Sequence, residues 1–308
     1  MSIAVFGSIN VDVTAYSRTL PAPGETIHGS SYVLGLGGKG ANQAVATARL
    51  GGAPVFIGRI GRDVFGELAR AELERCGVSL MGVTDDATEG TGIAIIAVDA
   101  AAQNCITVIA GANFTVGDAD VAKLVALPVP LRVLLLQLEV PMAANIAAAN
   151  AARNRNAMVI LDPAPVAKSG VPDALLEVVS VITPNEVECE ALTGTRPGNT
   201  VQAAQAAAIL QKRGIQHIVI KMGANGAYWR SPGGEGHVPR FAVEAIDTVA
   251  AGDCFNAGLA FALAGRVPFG AAVRFASAAG ALSTTKRGAA ASAPSLRDVE
   301  ALLAGDSA

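Results

Sequence analysis

The sequence predicts an α/β fold, an open and mostly parallel sheet flanked by helices on both faces. Strand-like and helix-like runs alternate along most of the 308 residues, the order expected of strand–helix–strand units. Hydrophobic residues make up 51% of the chain, ample for a large core, and exclude a disordered polypeptide. Two stretches, Val11–Leu34 and Val78–Val98, break the alternation with β-branched residues, Gly and Pro, and look like strands inserted into the α/β body.

Taken in order, the first strand is the apolar run Ile3–Phe6, which ends in the turn-forming Gly7-Ser8-Ile9-Asn10. After the first inserted stretch, Gly40–Leu50 is an Ala-rich helix opened by glycines. Strand Val55–Gly58 and helix Val64–Cys76 follow, then the second inserted stretch. The apolar run Val133–Leu136 is a strand, and Ala143–Arg153 is helix-forming by its alanines. Strands Met158–Leu161 and Val179–Ile182, helix Val201–Arg213 and strand His217–Lys221 continue the alternation. Helices Gly252–Ala264 and Phe269–Thr285 close it, and no internal repeat is visible.

Composition removes several functional classes. A net charge of −3 gives no basic field for nucleic acid or an anionic membrane. No apolar run approaches the roughly 20 residues that span a bilayer, and no basic-then-apolar leader precedes the first strand. Cys76, Cys105, Cys189 and Cys254 are far apart and form no C-x-x-C pair, which suits four free buried thiols in a reduced, cytoplasmic protein. His28, His217 and His237 have no metal-ligand spacing.

Two segments carry chemistry. In Asp247-Thr248-Val249-Ala250-Ala251-Gly252-Asp253 a carboxylate stands at the mouth of a helix, behind small residues. Unpaired amides at a helix start attract anions, and Ala250, Ala251 and Gly252 would let a phosphate approach them. Asp253 beside that anion could accept a proton from an attacking hydroxyl, as phosphoryl transfer to an alcohol requires. Taken alone, the commoner role of an aspartate here is an N-cap. The second segment, Gly35 to Ala46, contains G-x-G-x-x-G at Gly35, Gly37 and Gly40. It does not follow the first strand directly, lacks the acidic residue about 20 positions on, and has Gly40 where a Walker loop needs Ser or Thr. What remains is a glycine-lined surface bearing Lys39 and Asn42 on one helical face, better suited to hydroxyls than to a pyrophosphate.

These segments, with Gly7 to Asp12, Pro23-Gly24-Glu25-Thr26, Ala110 to Asn113, Gln137-Leu138-Glu139, Thr183 to Glu186 and Lys286-Arg287-Gly288, run in order across nearly the whole chain. Together they resemble the ribokinase-like (PfkB) family of sugar kinases, and Gly38 to Ala44 points to its ribokinase branch. The resemblance implies one ribokinase-like domain over residues 1–308. A small β-sheet lid, inserted at about 11–34 and 78–98, would cover the sugar and support a homodimer. It further implies that Asn10, Asp12, Gly38, Lys39, Asn42 and Glu139 bind the sugar, with Asp253 as general base and Ala250, Ala251 and Gly252 as anion hole. Glu139 also follows an apolar strand, where ligands of open α/β sheets gather. On the nucleotide side it implies Asn185, Lys221, Gly223, Gly226, Gly252 and Ser277, with Glu188 serving Mg²⁺ through water. Lys221 stands where many family members have Thr. An activating K⁺ is implied at Asp247, Val249, Ser283, Lys286, Gly288 and Ser292. The segment Gly288 to Ser292 departs from the usual pattern, as do Cys254 and Ala257 on the helix after the base.

The implied activity is transfer of the ATP γ-phosphate to the 5-hydroxyl of D-ribose, the partners being a sugar and ATP with no nucleic acid and no membrane. Fructose, tagatose, deoxyribose and adenosine remain alternative acceptors. From other classes, a non-catalytic sugar-binding protein of the same fold and a nicotinamide oxidoreductase stay open. The joint presence of Asp253, Gly252, Lys39 and Asn42 argues against the first, and the misplaced glycines argue against the second.

Overall fold

The computed structural model describes residues 2–167 and 170–306. Strands β1 (Ile3–Phe6), β2 (Asn10–Ser17) and β3 (Gly29–Gly37) lead into α1 (Lys39–Arg49). Then come β4 (Val55–Gly61), α2 (Val64–Arg75), β5 (Ser79–Asp86), β6 (Gly92–Val98), β7 (Asn104–Ile109) and α3 (Asp118–Val125). The central part holds β8 (Val133–Leu136), α4 (Met142–Asn154), β9 (Met158–Leu161), α5 (Asp173–Leu176), β10 (Val181–Ile182), α6 (Glu186–Thr193) and α7 (Thr200–Lys212). The chain continues through β11 (His217–Lys221), β12 (Ala227–Ser231) and β13 (Gly234–Val238) to α8 (Ala251–Ala264), α9 (Phe269–Ser283) and α10 (Leu296–Gly305).

A nine-stranded sheet runs in the order β13-β12-β11-β10-β9-β8-β1-β4-β5. It is parallel from β5 to β11, and β12 and β13 add an antiparallel edge. Alternate residues of a strand face opposite sides, and β1 divides its four accordingly. Ile3 and Val5 pack with Ala44 and Val45 of α1, Leu259 of α8 and Ala276 of α9. Ala4 and Phe6 pack with Leu124 of α3, Ala148 of α4 and Leu210 of α7. Both faces are thereby covered, and β1, β8 and β10 are apolar and buried throughout.

The second sheet has four strands in the order β3-β2-β6-β7. The first inserted stretch, Val11–Leu34, falls on β2 and β3 of this small sheet. The second, Val78–Val98, divides between the two sheets, and this corrects the expectation of a purely inserted segment. Its first half is β5, which pairs with β4 at the edge of the large sheet. Gly82 permits this, since a side chain there would meet the Phe56 carbonyl at 2.4 Å. Arg59 of β4 fastens that edge, with Nε 2.8 Å from Asp120 and a terminal nitrogen 3.2 Å from Asp86. The Thr115 hydroxyl and the amides of Glu89 and Thr88 hold the Asp86 carboxyl well below the usual range. Only β6 belongs to the small sheet, joined by β7, which the sequence reading passed over. β7 is exposed along its whole length, so burial leaves no alternating pattern in it. Cys105 lies there and is exposed, and Cys76 is half-buried, contrary to the expectation of four buried thiols; Cys189 and Cys254 are buried. Among the described residues no helix is long and apolar enough to cross a membrane.

Candidate active site

The parallel strands end level with one another. Phe6 pairs with Leu136, Leu136 with Leu161, Leu161 with Ile182 and Ile182 with Ile218. The residues that follow, among them Gln137, Glu139, Asp162, Thr183 and Asn185, therefore share one carboxyl edge with Lys221, the place where open α/β sheets bind ligands.

The start of α1 is pressed onto this edge. A side chain at Gly40 would meet the Ser8 backbone at 2.7 Å, and Gly38 has φ +82°, a left-handed conformation that favours glycine. Glu139 fixes the junction through Oε2, which accepts from the Ser8 hydroxyl at 2.5 Å and the Lys39 amide at 2.9 Å. Asn10 Oδ1 accepts from Asn113 Nδ2 at 2.8 Å, and Asn113 is itself tied to both backbone groups of Ile9. Asp12 lies over Gly37, where a Cβ would come within 2.1 Å of its carboxylate. Burial, with the Glu139 charge adding to it, pushes the Asp12 carboxyl up to about 6. Burial works against the Lys39 ammonium, but Asp253, Asp162, Glu139 and Glu188 more than offset it, and its pKa lies above the ordinary lysine value.

Helix α8 carries Asp253. It starts at Ala251 after Ala250, whose φ of +59° is left-handed and carries backbone strain. Asp253 does not cap this helix. Its carboxylate accepts from Asn42 Nδ2 at 3.0 Å and Gln43 Nε2 at 3.1 Å, both on α1. Burial pushes it up to about 6, with Lys39 opposing and Asp162 reinforcing the shift. The helix dipole alone would predict a lower value, and the dry surroundings outweigh it. Asn42 Oδ1 is buried without a partner, an acceptor left for a ligand hydroxyl. The anion hole expected at Ala250, Ala251 and Gly252 is shifted along the helix mouth: the Ala251 amide reaches the Thr248 carbonyl at 3.3 Å, while Gly252 and Asp253 occupy first-turn positions that have no intrahelical acceptor.

Beside this mouth lies a cavity of about 490 Å³. Asn185, Lys221, Gly223, Gly226, Gly252 and Ser277 all line it, and Phe241, Val243, Ala245 and Ala281 give it an apolar wall. Asn185 caps α6 and is locked to Glu188. The Glu188 amide donates to Asn185 Oδ1 at 2.9 Å, and the Asn185 backbone and side-chain nitrogens each donate to the Glu188 carboxylate at 2.8 Å. Burial raises the Glu188 carboxyl despite the opposing charge of Lys221.

A model of the pfkB family carbohydrate kinases matches residues 1–296. The chain belongs to that family. The ribokinase of Haemophilus influenzae is 38% identical over 297 residues, 96% of each chain. A deoxyribokinase of Salmonella typhi is 34% identical over 297 residues, again 96% of each. The structure of Arabidopsis thaliana ribokinase complexed with ribose and ATP matches with a TM-score of 0.90 at 33% identity, covering 98% of both chains. This carbohydrate kinase is a phosphotransferase with an alcohol acceptor.

Of the residues singled out in the sequence, the fold gathers Lys39, Asn42 and Glu139 around the start of α1, with Asp253 against Asn42 and Asp12 against Gly37. The nucleotide group lines the neighbouring cavity. Of the group expected to hold a cation, three residues are linked directly. Asp247 accepts from the Val249 amide through Oδ1 and the Gly288 amide through Oδ2, each at 3.0 Å. Ser283 and Ser292 are fully buried, their hydroxyls donating to the carbonyls of Gly280 and Ala289, while Lys286 is exposed. Sequence reasoning missed Gln43, Asn113, Gln137 and Asp162. Gln43 Nε2 bridges Asp253 and Asp162 at 3.1 Å each, and its Oε1 accepts from Gln137 Nε2 at 2.6 Å. Asp162 directly follows an apolar strand, the signal that had marked Glu139, and could have been found by it.

Proposed function

We propose that the chain transfers the γ-phosphoryl group of ATP to the 5-hydroxyl of D-ribose. One observation carries this function: Asp253 joins the helix mouth that lines the nucleotide cavity to the polar cluster around α1. Ribose would lie among Asn10, Asp12, Lys39, Asn42 and Glu139, with its primary hydroxyl toward Asp253. Asp253 takes the proton as the hydroxyl oxygen attacks phosphorus, and the Gly252 and Asp253 amides and Lys221 face the charge of the transferring group. The late proton of a loose transition state suits a carboxylate near 6. The relatives named ribokinase, and the Arabidopsis enzyme complexed with ribose and ATP, support the choice of substrate and donor.

Glu188 and Asn185 suit Mg²⁺, which keeps several of its waters and needs only one or two carboxylates. Bound there it would neutralise phosphate charge. Asp247 and the buried Ser292 hydroxyl are hard oxygen donors that fit K⁺, which would stiffen the loop leading into α8. Exchanging K⁺ for Na⁺ should lower the turnover rate without altering the far-ultraviolet circular dichroism, and equal rates would remove this cation from the account. We place the enzyme in the cytoplasm on its four unpaired cysteines.

Asp253→Asn tests the function. It should lower kcat by at least a thousandfold while leaving the ribose Kd within about tenfold, because the loss falls mainly on the transition state. Near-normal turnover would sink the mechanism.

A further inference from the structure

Asp162 has no role in the scheme so far, yet it is 2% exposed at the carboxyl end of β9 and sits between both halves of the site. Its Oδ1 accepts from Lys221 Nζ at 3.1 Å, and its Oδ2 accepts from Gln43 Nε2 at 3.1 Å. The other hydrogen of that amide serves Asp253. Gln43 cannot rotate to present its oxygen instead, because Oε1 is engaged by Gln137. At the far end of the chain of contacts, Lys221 Nζ lies 3.4 Å from where a Cβ on Gly252 would stand. The ammonium is thus held over the first turn of α8, inside the nucleotide cavity.

We infer that Asp162 is a positioning residue: it aims Lys221 at the transferring phosphoryl group and, through Gln43, holds the Asp253 carboxylate toward the sugar. The inference rests on the kinase function proposed above. A simple structural ion pair could sit anywhere along β9 and β11. This one puts its cation where phosphate charge develops and its anion one amide away from the base. A buried carboxylate that lost Lys221 would stand unpaired close to a second carboxylate, a costly arrangement. The pair should therefore tolerate joint neutralisation far better than loss of either partner. Lys39 and Glu188 are the other charged groups facing this cluster, and both are retained in every variant below.

Three variants test this in the full-length enzyme with ribose and ATP: Asp162→Asn, Lys221→Thr and the double substitution. Wild-type turnover of ribose first establishes the underlying activity, so failure of that function is seen separately. Asp162→Asn should lower kcat about tenfold or more yet leave the Kd of a non-hydrolysable ATP analogue unchanged or tighter, since a competitor for Lys221 is gone. It should also move the acid limb of kcat/KM for ribose to lower pH, because the neighbour that disfavours ionised Asp253 has lost its charge. Lys221→Thr should weaken the analogue and move the limb upward. The double variant should regain at least fivefold in kcat over Lys221→Thr alone. Melting curves check that each variant is folded. An acid limb unmoved in Asp162→Asn, or a double variant whose loss is the product of the single losses, would overturn the inference.

Discussion

Asp12 and Asp253 both titrate near pH 6, though for unlike surroundings: burial aided by Glu139 in one case, burial partly countered by Lys39 in the other. In the proposed mechanism each works ionised, Asp253 to take a proton and Asp12 to accept from sugar hydroxyls. The profile of kcat/KM for ribose should therefore rise with pH through about 6, with a logarithmic slope between one and two below it. Asp12→Asn should reduce that slope to one, and a slope already at one in the wild type would exclude Asp12 from the ionising set. The sign for stability is opposite. A raised carboxyl favours the folded state at low pH, and that contribution is lost as pH rises through about 6. Asp12→Asn should thus melt about 1–2 °C higher at pH 7.5 without sugar, with the gain shrinking toward pH 5. Asp12→Ala should also narrow the preference for ribose over deoxyribose, because an unpaired hydroxyl partner costs about 1–3 kcal/mol. Single residues were legible in the sequence where a motif gave their side chain a task, as with Asp253 and Lys39. Gln43 lies inside such a motif and Asp162 directly after an apolar strand, but the bridge that joins them, from the residue after β9 to α1, is created only by folding.

At the scale of elements, most boundaries of the runs read in the α/β body followed from composition to within a residue or two, though β4 runs three residues past Gly58 and the short or edge elements α3, α5, α6, α10, β12 and β13 were not read. The run Val133–Leu136 is β8, and the helix expected over Val64–Cys76 is α2. Strand partners were another matter. β4 and β5 pair in parallel although β6, after a turn, leaves for another sheet, and local sequence does not record that choice. Two glycines at element starts separate packing from chemistry. In Gly40→Ala the new methyl would meet the Ser8 backbone at 2.7 Å, so stability should fall by about 2–3 kcal/mol and activity with it. In Gly252→Ala the helix gains up to about 1 kcal/mol of intrinsic propensity. The methyl, however, enters the proposed nucleotide cavity 3.4 Å from Lys221 Nζ. Gly252→Ala should therefore melt no lower than the wild type but turn over at least tenfold more slowly. Denaturant titration beside steady-state kinetics would tell the two apart, and a fully active Gly252→Ala would remove the helix mouth from phosphate binding.

For the molecule as a whole, the small sheet sets a problem of exposed surface. One face carries Asn10 and Asp12 toward the site. On the other, register aligns Tyr32 with Ala15, Ala97 and Cys105, and Leu34 with Val13, Ile95 and Thr107. Tyr32 is 72% exposed, and Leu34 and Ile95 are nearly half exposed. Near the large sheet this same face packs Val11 and Leu36 into the core, so the apolar stripe continues outward beyond what the chain itself covers. Contiguous apolar surface of this kind marks an association site, and a second copy of the same sheet would satisfy it with two-fold symmetry. We accordingly expect a homodimer through the small sheet, in line with the resemblance seen in the sequence. Light scattering at micromolar concentration should give twice the mass of the 31.0 kDa chain. Replacing Leu34 and Ile95 together by Asp should return the monomer mass. Because β2 carries Asn10 and Asp12, loss of the partner should also raise KM for ribose severalfold, while Asp253 and its helix leave kcat within about threefold. A wild-type enzyme that is monomeric at working concentration would leave the stripe without this partner.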